Sequence, residues 1–355
     1  MNIQKKPYII VPYLIEQSTW GGTYICEKKG WTGKQGITGK KIGQSYELYS
    51  ETKLALNLKT TNDPSFGPEY SDVIDINIFK ESRPFPLIKF TQAKGNSFQL
   101  HIRPSQKDPH WQPKAESWYY FENGKITFGI KKGADIEAYK KTCHAINEKM
   151  KELSRAVIEK KMGQQEASQE AQEYIKISNP WQYVNVHNTK AGDVVDLSGG
   201  GLHHSWEEDS VACPLGNIVY EVQQDVMDPY CTIRSFDQGK LKGDGTIRTI
   251  QIDDYFKYLD LDEKRNTLNI EKKENGILFD TPLYSLSSLL VVGEMKMESK
   301  SSFHHLFVKE GEVSVVDSNN NKISVGRGHS CFIPNGILYT IQTGAQAELL
   351  LTYLR

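Results

Sequence analysis

The chain has 355 residues, enough for two domains and a sizeable core, with 38% hydrophobic and 25% charged residues and a formal net charge of -1. That balance leaves no electrostatic footprint for nucleic acid and no polybasic patch for a membrane surface. The five cysteines, Cys26, Cys143, Cys213, Cys231 and Cys331, are far apart, odd in number and lack a Cys-x-x-Cys pair, so the sequence reads as a protein of a reducing compartment without a disulfide framework or thiolate zinc site.

In chain order, the first apolar run is broken by Pro12 and no small-residue cleavage site follows it. Neither a signal peptide nor a membrane span is expected, and the location reads as cytoplasmic. Short strands separated by Gly, Pro, Asn and Asp come next, at Phe85 to Thr91, Ser97 to Ile102, Ser117 to Phe121 and Ile126 to Ile130. Such spacing predicts a mainly β protein built as a sandwich or barrel. The stretch from Ala134 to about Lys176 differs, being free of proline and rich in Lys, Glu, Gln and Ala. Ile136, Tyr139, Cys143, Ile146, Met150, Leu153 and Val157 recur in steps of three and four, which places them on one helix face. The polar stretch Gly163 to Glu170 is expected to bend or divide the helical region. Strands resume at Tyr183 to Asn188 and Ile218 to Val222, a short helix is predicted over Ile252 to Tyr258, and strands continue from Ile277 to the end. The expected organisation is a discontinuous β-domain over 1–133 and 178–268, a helical insertion over 134–177 and a smaller β-domain over 269–355.

Gln99 and His101 lie two apart on a predicted strand, so their side chains share one side while Phe98, Leu100 and Ile102 take the other. Glu116 precedes the aromatic strand Ser117-Trp118-Tyr119-Tyr120-Phe121, and His203 follows the run Ser198-Gly199-Gly200-Gly201-Leu202. Three or four His, Glu and Gln ligands suit zinc in an open catalytic site, although mixed nitrogen and oxygen donors also accept manganese, iron or cobalt. Spacing alone leaves each of these residues an ordinary structural alternative.

These strings resemble, in order, those of type I mannose-6-phosphate isomerases. Trp20-Gly21-Gly22, Ile42-Gly43-Gln44-Ser45-Tyr46-Glu47 and Pro86-Leu87-Ile88-Lys89-Phe90 resemble early motifs of that family. Ser97-Phe98-Gln99-Leu100-His101 resembles its Ser-x-Gln-Val-His, and Lys114-Ala115-Glu116-Ser117-Trp118-Tyr119 its Lys-x-Glu-x-Trp-Tyr. Ala191-Gly192-Asp193 through Leu202-His203 resembles the segment ending in the family's last ligand histidine. Glu221-Val222-Gln223-Gln224 and Thr232-Ile233-Arg234-Ser235-Phe236-Asp237 resemble two further strings. The resemblance implies cupin-type β-sandwich or jelly-roll domains, a zinc ion held by Gln99, His101, Glu116 and His203, and a sugar-phosphate partner. It implies interconversion of mannose 6-phosphate and fructose 6-phosphate through a cis-enediol, with Lys114 and Arg234 as catalytic residues. A lysine beside zinc and partly desolvated is expected to have a lowered pKa. Each has a structural competitor: Lys114 as a solvated turn residue, Arg234 as an ion-pair partner of Asp237 or Asp225, Gln99 as a hydrogen-bonder that touches no metal. His204 and Glu47 are secondary catalytic candidates, and Arg103 is the first candidate for the phosphate. His304, His305 and His329 invite a second metal site, which the lack of accompanying Glu or Gln disfavours. The chain departs from the family at Ile102-Arg103-Pro104-Ser105, at Ser198-Gly199-Gly200, at His204 and Trp206, and in the longer Trp206 to Gly216 and Asp225 to Tyr230 segments. Those departures flank the expected pocket, so a different sugar, or a sugar-binding cupin without catalysis, stays open.

Overall fold

A computed structural model describes residues 4–34, 36–59, 69–95, 97–205, 211–226, 228–272 and 276–355. Trp206 lies outside them. The chain is mainly β, as its strand spacing predicts, and the described strands form sheets of five, seven and ten strands. Among the described residues no helix is long and apolar enough to cross a membrane.

The layers follow from alternation along each strand. Phe98, Leu100, Leu202 and Ile233 leave one face of the five-stranded sheet and pack with Tyr139, Cys143, Ile146, Met150 and Leu153 of the helix Ile136–Ile158. Asp135 caps that helix, its carboxylate accepting from the amide of Ala138 at 2.9 Å. The helical region is divided, as expected, but the break falls at the N-terminal edge of the polar stretch: a second helix, Gln164–Ser178, begins straight after Gly163 and includes the rest of it. Trp118, Tyr120, Ile126, Phe128, Val195 and Val219 fill part of the space between the five- and seven-stranded sheets. On the outer side of the seven-stranded sheet, Ile88, Phe90, Tyr119, Ile218 and Tyr220 meet Phe307, Phe332 and Leu350 of the ten-stranded sheet, with Phe303 just ahead of it. Helices, five strands, seven strands and ten strands therefore succeed one another.

The ten-stranded sheet joins distant parts of the chain. Tyr8–Val11 pairs antiparallel with Ser330–Ile333 on one side, Tyr8 opposite Phe332, and with Lys53–Lys59 on the other. Near this seam the Lys29 ammonium donates to Glu47 Oε1 at 2.7 Å and to the Gly328 carbonyl, and Glu47 also accepts from Ser45 Oγ at 2.6 Å and Ser330 Oγ at 2.8 Å. Glu47 is thus a buried structural anion, not part of the catalytic cavity. Replacing Lys29 by Met strips Glu47 of its counter-charge in a fully buried position, so the expected loss of stability is about 3–5 kcal/mol. The midpoint of urea unfolding reads it, and the Lys29→Met/Glu47→Leu pair is expected to recover most of the loss. Equal destabilisation by the single and double variants would refute a charge-pairing origin.

Candidate metal centre and catalytic cavity

The inner faces of the five- and seven-stranded sheets carry the polar residues. On the five-stranded sheet the strands Gly201–Ser205, Phe98–His101 and Ile233–Phe236 are neighbours, and His203, Gln99 and Arg234 lie in one cross-strand row. Gly200 and Gly201 set the register that aims His203, with φ of +69° and +102°. A Cβ on Gly200 would stand 2.9 Å from the His101 and Ile102 carbonyl oxygens, so only glycine fits this approach. From the facing sheet, Glu116 opens the strand Glu116–Tyr120 and points across.

His101, Glu116 and His203 meet with their ligand atoms within 4.8 Å of one another, all three buried. His203 Nε2 is 2.7 Å from Glu116 Oε1, His101 Nε2 is 3.5 Å from Glu116 Oε2, and the Gln99 amide is 3.2 Å from His203 Nε2. His101 donates from Nδ1 to the Cys231 carbonyl, and His203 Nδ1 lies 3.2 Å from the Gly201 carbonyl. Those outer bonds turn each Nε2 lone pair inward. His101 Nε2 is buried without a hydrogen-bond partner. Inward lone pairs beside a carboxylate need a cation or proton among them, so the four residues fit a divalent metal such as zinc. Half a turn of the Gln99 amide brings Oε1 to the same point. Burial pushes the His101 imidazole down, with the Lys114 charge adding to the effect, to about 4. Burial opposes ionisation of Glu116, but Lys114 and the two imidazoles hold it well below the usual carboxylate range.

Beside the cluster lies a cavity of about 300 Å³, a size suited to a small ligand. Leu87, Lys89 and Thr91 alternate into it from one strand, and Val219, Glu221 and Gln223 from its neighbour. Lys114 reaches Glu116 Oε2 at 2.5 Å and stands 4.0 Å from Glu221 Oε1. Lys89 donates to Gln223 Oε1 at 2.8 Å and Glu221 Oε1 at 3.2 Å. The two lysines are buried alike and pushed in opposite directions. Desolvation would lower Lys114, but Glu116 and Glu221 outweigh it and raise its pKa, so the lowered value expected from sequence is not found. Desolvation dominates at Lys89 and lowers it, with Glu221 opposing and the nearby Lys114 charge adding to the fall. Lys89 and Glu221 were not singled out as site residues from the sequence. Their signal was opposite charges within apolar strands, at Leu87-Ile88-Lys89-Phe90 and Val219-Tyr220-Glu221-Val222.

Arg234 also lines the cavity. Its guanidinium takes Asp228 in a fork, at 2.9 and 3.3 Å, and its Nε donates to Ser97 Oγ at 3.1 Å. The ion-pair partner is therefore Asp228 rather than Asp225 or Asp237. Two other expectations are corrected. Arg103 turns away from the cavity, pairing with Asp260 and donating to the Gly199 carbonyl at 3.2 Å. His204 follows the strand alternation to the opposite face and packs on Phe98 with its ring tilted by 40°, ring centres 4.0 Å apart. In the tail, His304, His305 and His329 bond separately to Tyr339, Tyr220 and the Lys29 carbonyl. Among the described residues His101, Glu116 and His203 are the only metal-compatible group.

This arrangement places the chain among β-sheet proteins with a buried His–Glu–His cluster beside a polar cavity. No protein-family model matches the sequence, and no curated protein does. Solved structures do match. Mannose 6-phosphate isomerase from Bacillus subtilis aligns with a TM-score of 0.63 at 16% identity, covering 98% of this chain and 99% of that one. A zinc-bound mannose 6-phosphate isomerase aligns at 0.62 and 14% identity, over 98% and 99%. A variant of phosphomannose isomerase from Salmonella typhimurium aligns at 0.59 and 13% identity, again over 98% and 99%. The chain has the fold of these isomerases over nearly its whole length.

Proposed function

We propose that the protein is a zinc-dependent aldose–ketose isomerase that interconverts mannose 6-phosphate and fructose 6-phosphate through a cis-enediol. The observation that carries this reading is the convergence of Gln99, His101, Glu116 and His203 beside a cavity that also holds two buried lysines of opposite pKa shift. The four residues hold zinc, which when bound supplies Lewis-acid stabilisation of negative charge on substrate oxygens. Moving a proton between adjacent carbons also needs a base, an acid and a holder for the oxyanion. Lys89, with the lower proton affinity, serves as the base. Lys114, kept protonated between Glu116 and Glu221, serves as the acid. Arg234 presents a permanently charged fork to the enediolate, with Asp228 yielding part of its hold.

Elemental analysis of the purified protein, followed by a coupled assay on mannose 6-phosphate, tests the reading. Zinc near one equivalent with turnover supports it. Full activity in a metal-stripped sample removes zinc from it, and a zinc-loaded protein that turns over no aldose phosphate sinks it.

Ligand histidines must be neutral. His101, pushed down to about 4, stays neutral well below the ordinary imidazole value of 6.5, so its own protonation does not compete with metal until the pH nears 4. Zinc is expected to survive dialysis at pH 5.5 and to leave between about pH 5 and 4. Release centred on pH 6.5 would contradict this account of His101.

A further inference from the structure

We propose that Arg248 selects phosphorylated substrates by gripping a phosphate-type dianion where the cavity opens into a small annex. The inference rests on the sugar-phosphate reading above and assigns its anion-binding end. Four cations line the cavity among the described residues: Lys89, Lys114, Arg234 and Arg248. Three have an anionic partner within about 3.2 Å and a place in the reaction. Lys89 is held by Gln223 and Glu221, Lys114 by Glu116, and the Arg234 fork by Asp228. Arg248 differs: its contact with a carboxylate is Nη1 to Asp237 Oδ1 at 3.6 Å, beyond hydrogen-bond reach, and its side chain is 43% exposed.

Arg248 also stands at a junction. Together with Trp20 and Ser97 it lines both the cavity and an adjoining annex of about 60 Å³. The annex adds Lys240 and Lys242, and Asp237 is its carboxylate, so three cations face one anion. An excess of positive charge around a guanidinium held only by one long carboxylate contact suits a doubly charged phosphate, which accepts two parallel N–H bonds from the fork. The aldose or ketose end of the ligand then extends past Ser97 towards Gln99, which lines the same cavity and lies 3.2 Å from His203 Nε2 of the metal cluster. Arg103, the candidate from sequence, has no access to this space because Asp260 and the Gly199 carbonyl hold it elsewhere.

Calorimetric titration of the full chain with inorganic phosphate tests the assignment without requiring turnover. Wild type is expected to bind, and Arg248→Ala to bind about 10–100-fold more weakly, the worth of charge-assisted bonds. Arg248→Lys is expected to fall between them, because a point charge replaces the fork. Circular dichroism checks that each variant folds. In the coupled assay, the preference in kcat/KM for a hexose 6-phosphate over the free hexose is expected to drop by a similar factor in Arg248→Ala. Arg248-dependent phosphate binding without sugar turnover upholds the anion site while the isomerase reading fails. Isomerisation with an unchanged preference in Arg248→Ala, or phosphate binding unaffected by it, overturns the anion site while the isomerase reading stands.

Discussion

Glu116→Ala is expected to remove both the bound zinc and the isomerase activity. Glu116 is the one anionic member of the cluster, and both of its oxygens are engaged, Oε1 with His203 and Oε2 with His101 and Lys114. Losing a residue that merely orients a ligand costs roughly 10–100-fold in metal affinity or activity, so losing a charged ligand exceeds that range. Glu116→Gln is expected to behave almost as badly, because it keeps the shape but removes the charge that offsets a dication. Zinc per chain by elemental analysis and initial rate by coupled assay are the two readouts. His203→Ala is expected to follow the same pattern. Variants that lose zinc yet isomerise at the wild-type rate would falsify the catalytic role of the metal.

The second large effect concerns the proton. Lys89→Met is expected to lower kcat by about 10²–10⁴-fold, the usual contribution of a positioned acid or base, while zinc content is unchanged. Methionine fills a similar length, and Glu221 retains Lys114 at 4.0 Å and Thr91 Oγ at 3.5 Å, so the buried carboxylate is not orphaned. The companion Lys114→Met is expected to lower kcat over the same range, and to weaken zinc retention as well because Lys114 touches Glu116. The two variants therefore separate by metal content. A Lys89→Met protein whose KM rises while kcat holds would make Lys89 a substrate-binding group, and the base would have to be sought elsewhere.

Half of the metal cluster was readable from elementary strand geometry. Gln99 and His101 share a side because side chains on a strand alternate, and the apolar residues between them had to face the helices. Glu116 and His203 could be paired with them only through the order of motifs, since their approach comes from two sheets facing each other, a tertiary event. The charged row Lys89–Glu221 is a cross-strand pair set by the register of Pro86–Ala93 against Asn217–Gln224, which no local pattern encodes. Arg103 misled for a related reason. It lies just past the end of the His101 strand, and once the backbone leaves the strand, alternation no longer dictates direction; Asp260, far along the chain, decides it. The sign of the Lys114 shift was lost with the same information, because it depends on Glu221 as well as Glu116.

The seam in which Tyr8 lies opposite Phe332 bears on how the protein is made. During synthesis the first strand emerges long before its partner exists, and it waits with an open edge while the ribosome produces almost everything between them. The metal-bearing sheets, whose strands lie between these two, can assemble meanwhile, but the ten-stranded layer closes last. Nascent chains stalled before Phe332 should therefore be the form most in need of a chaperone, and the most prone to pair that waiting edge with a stranger.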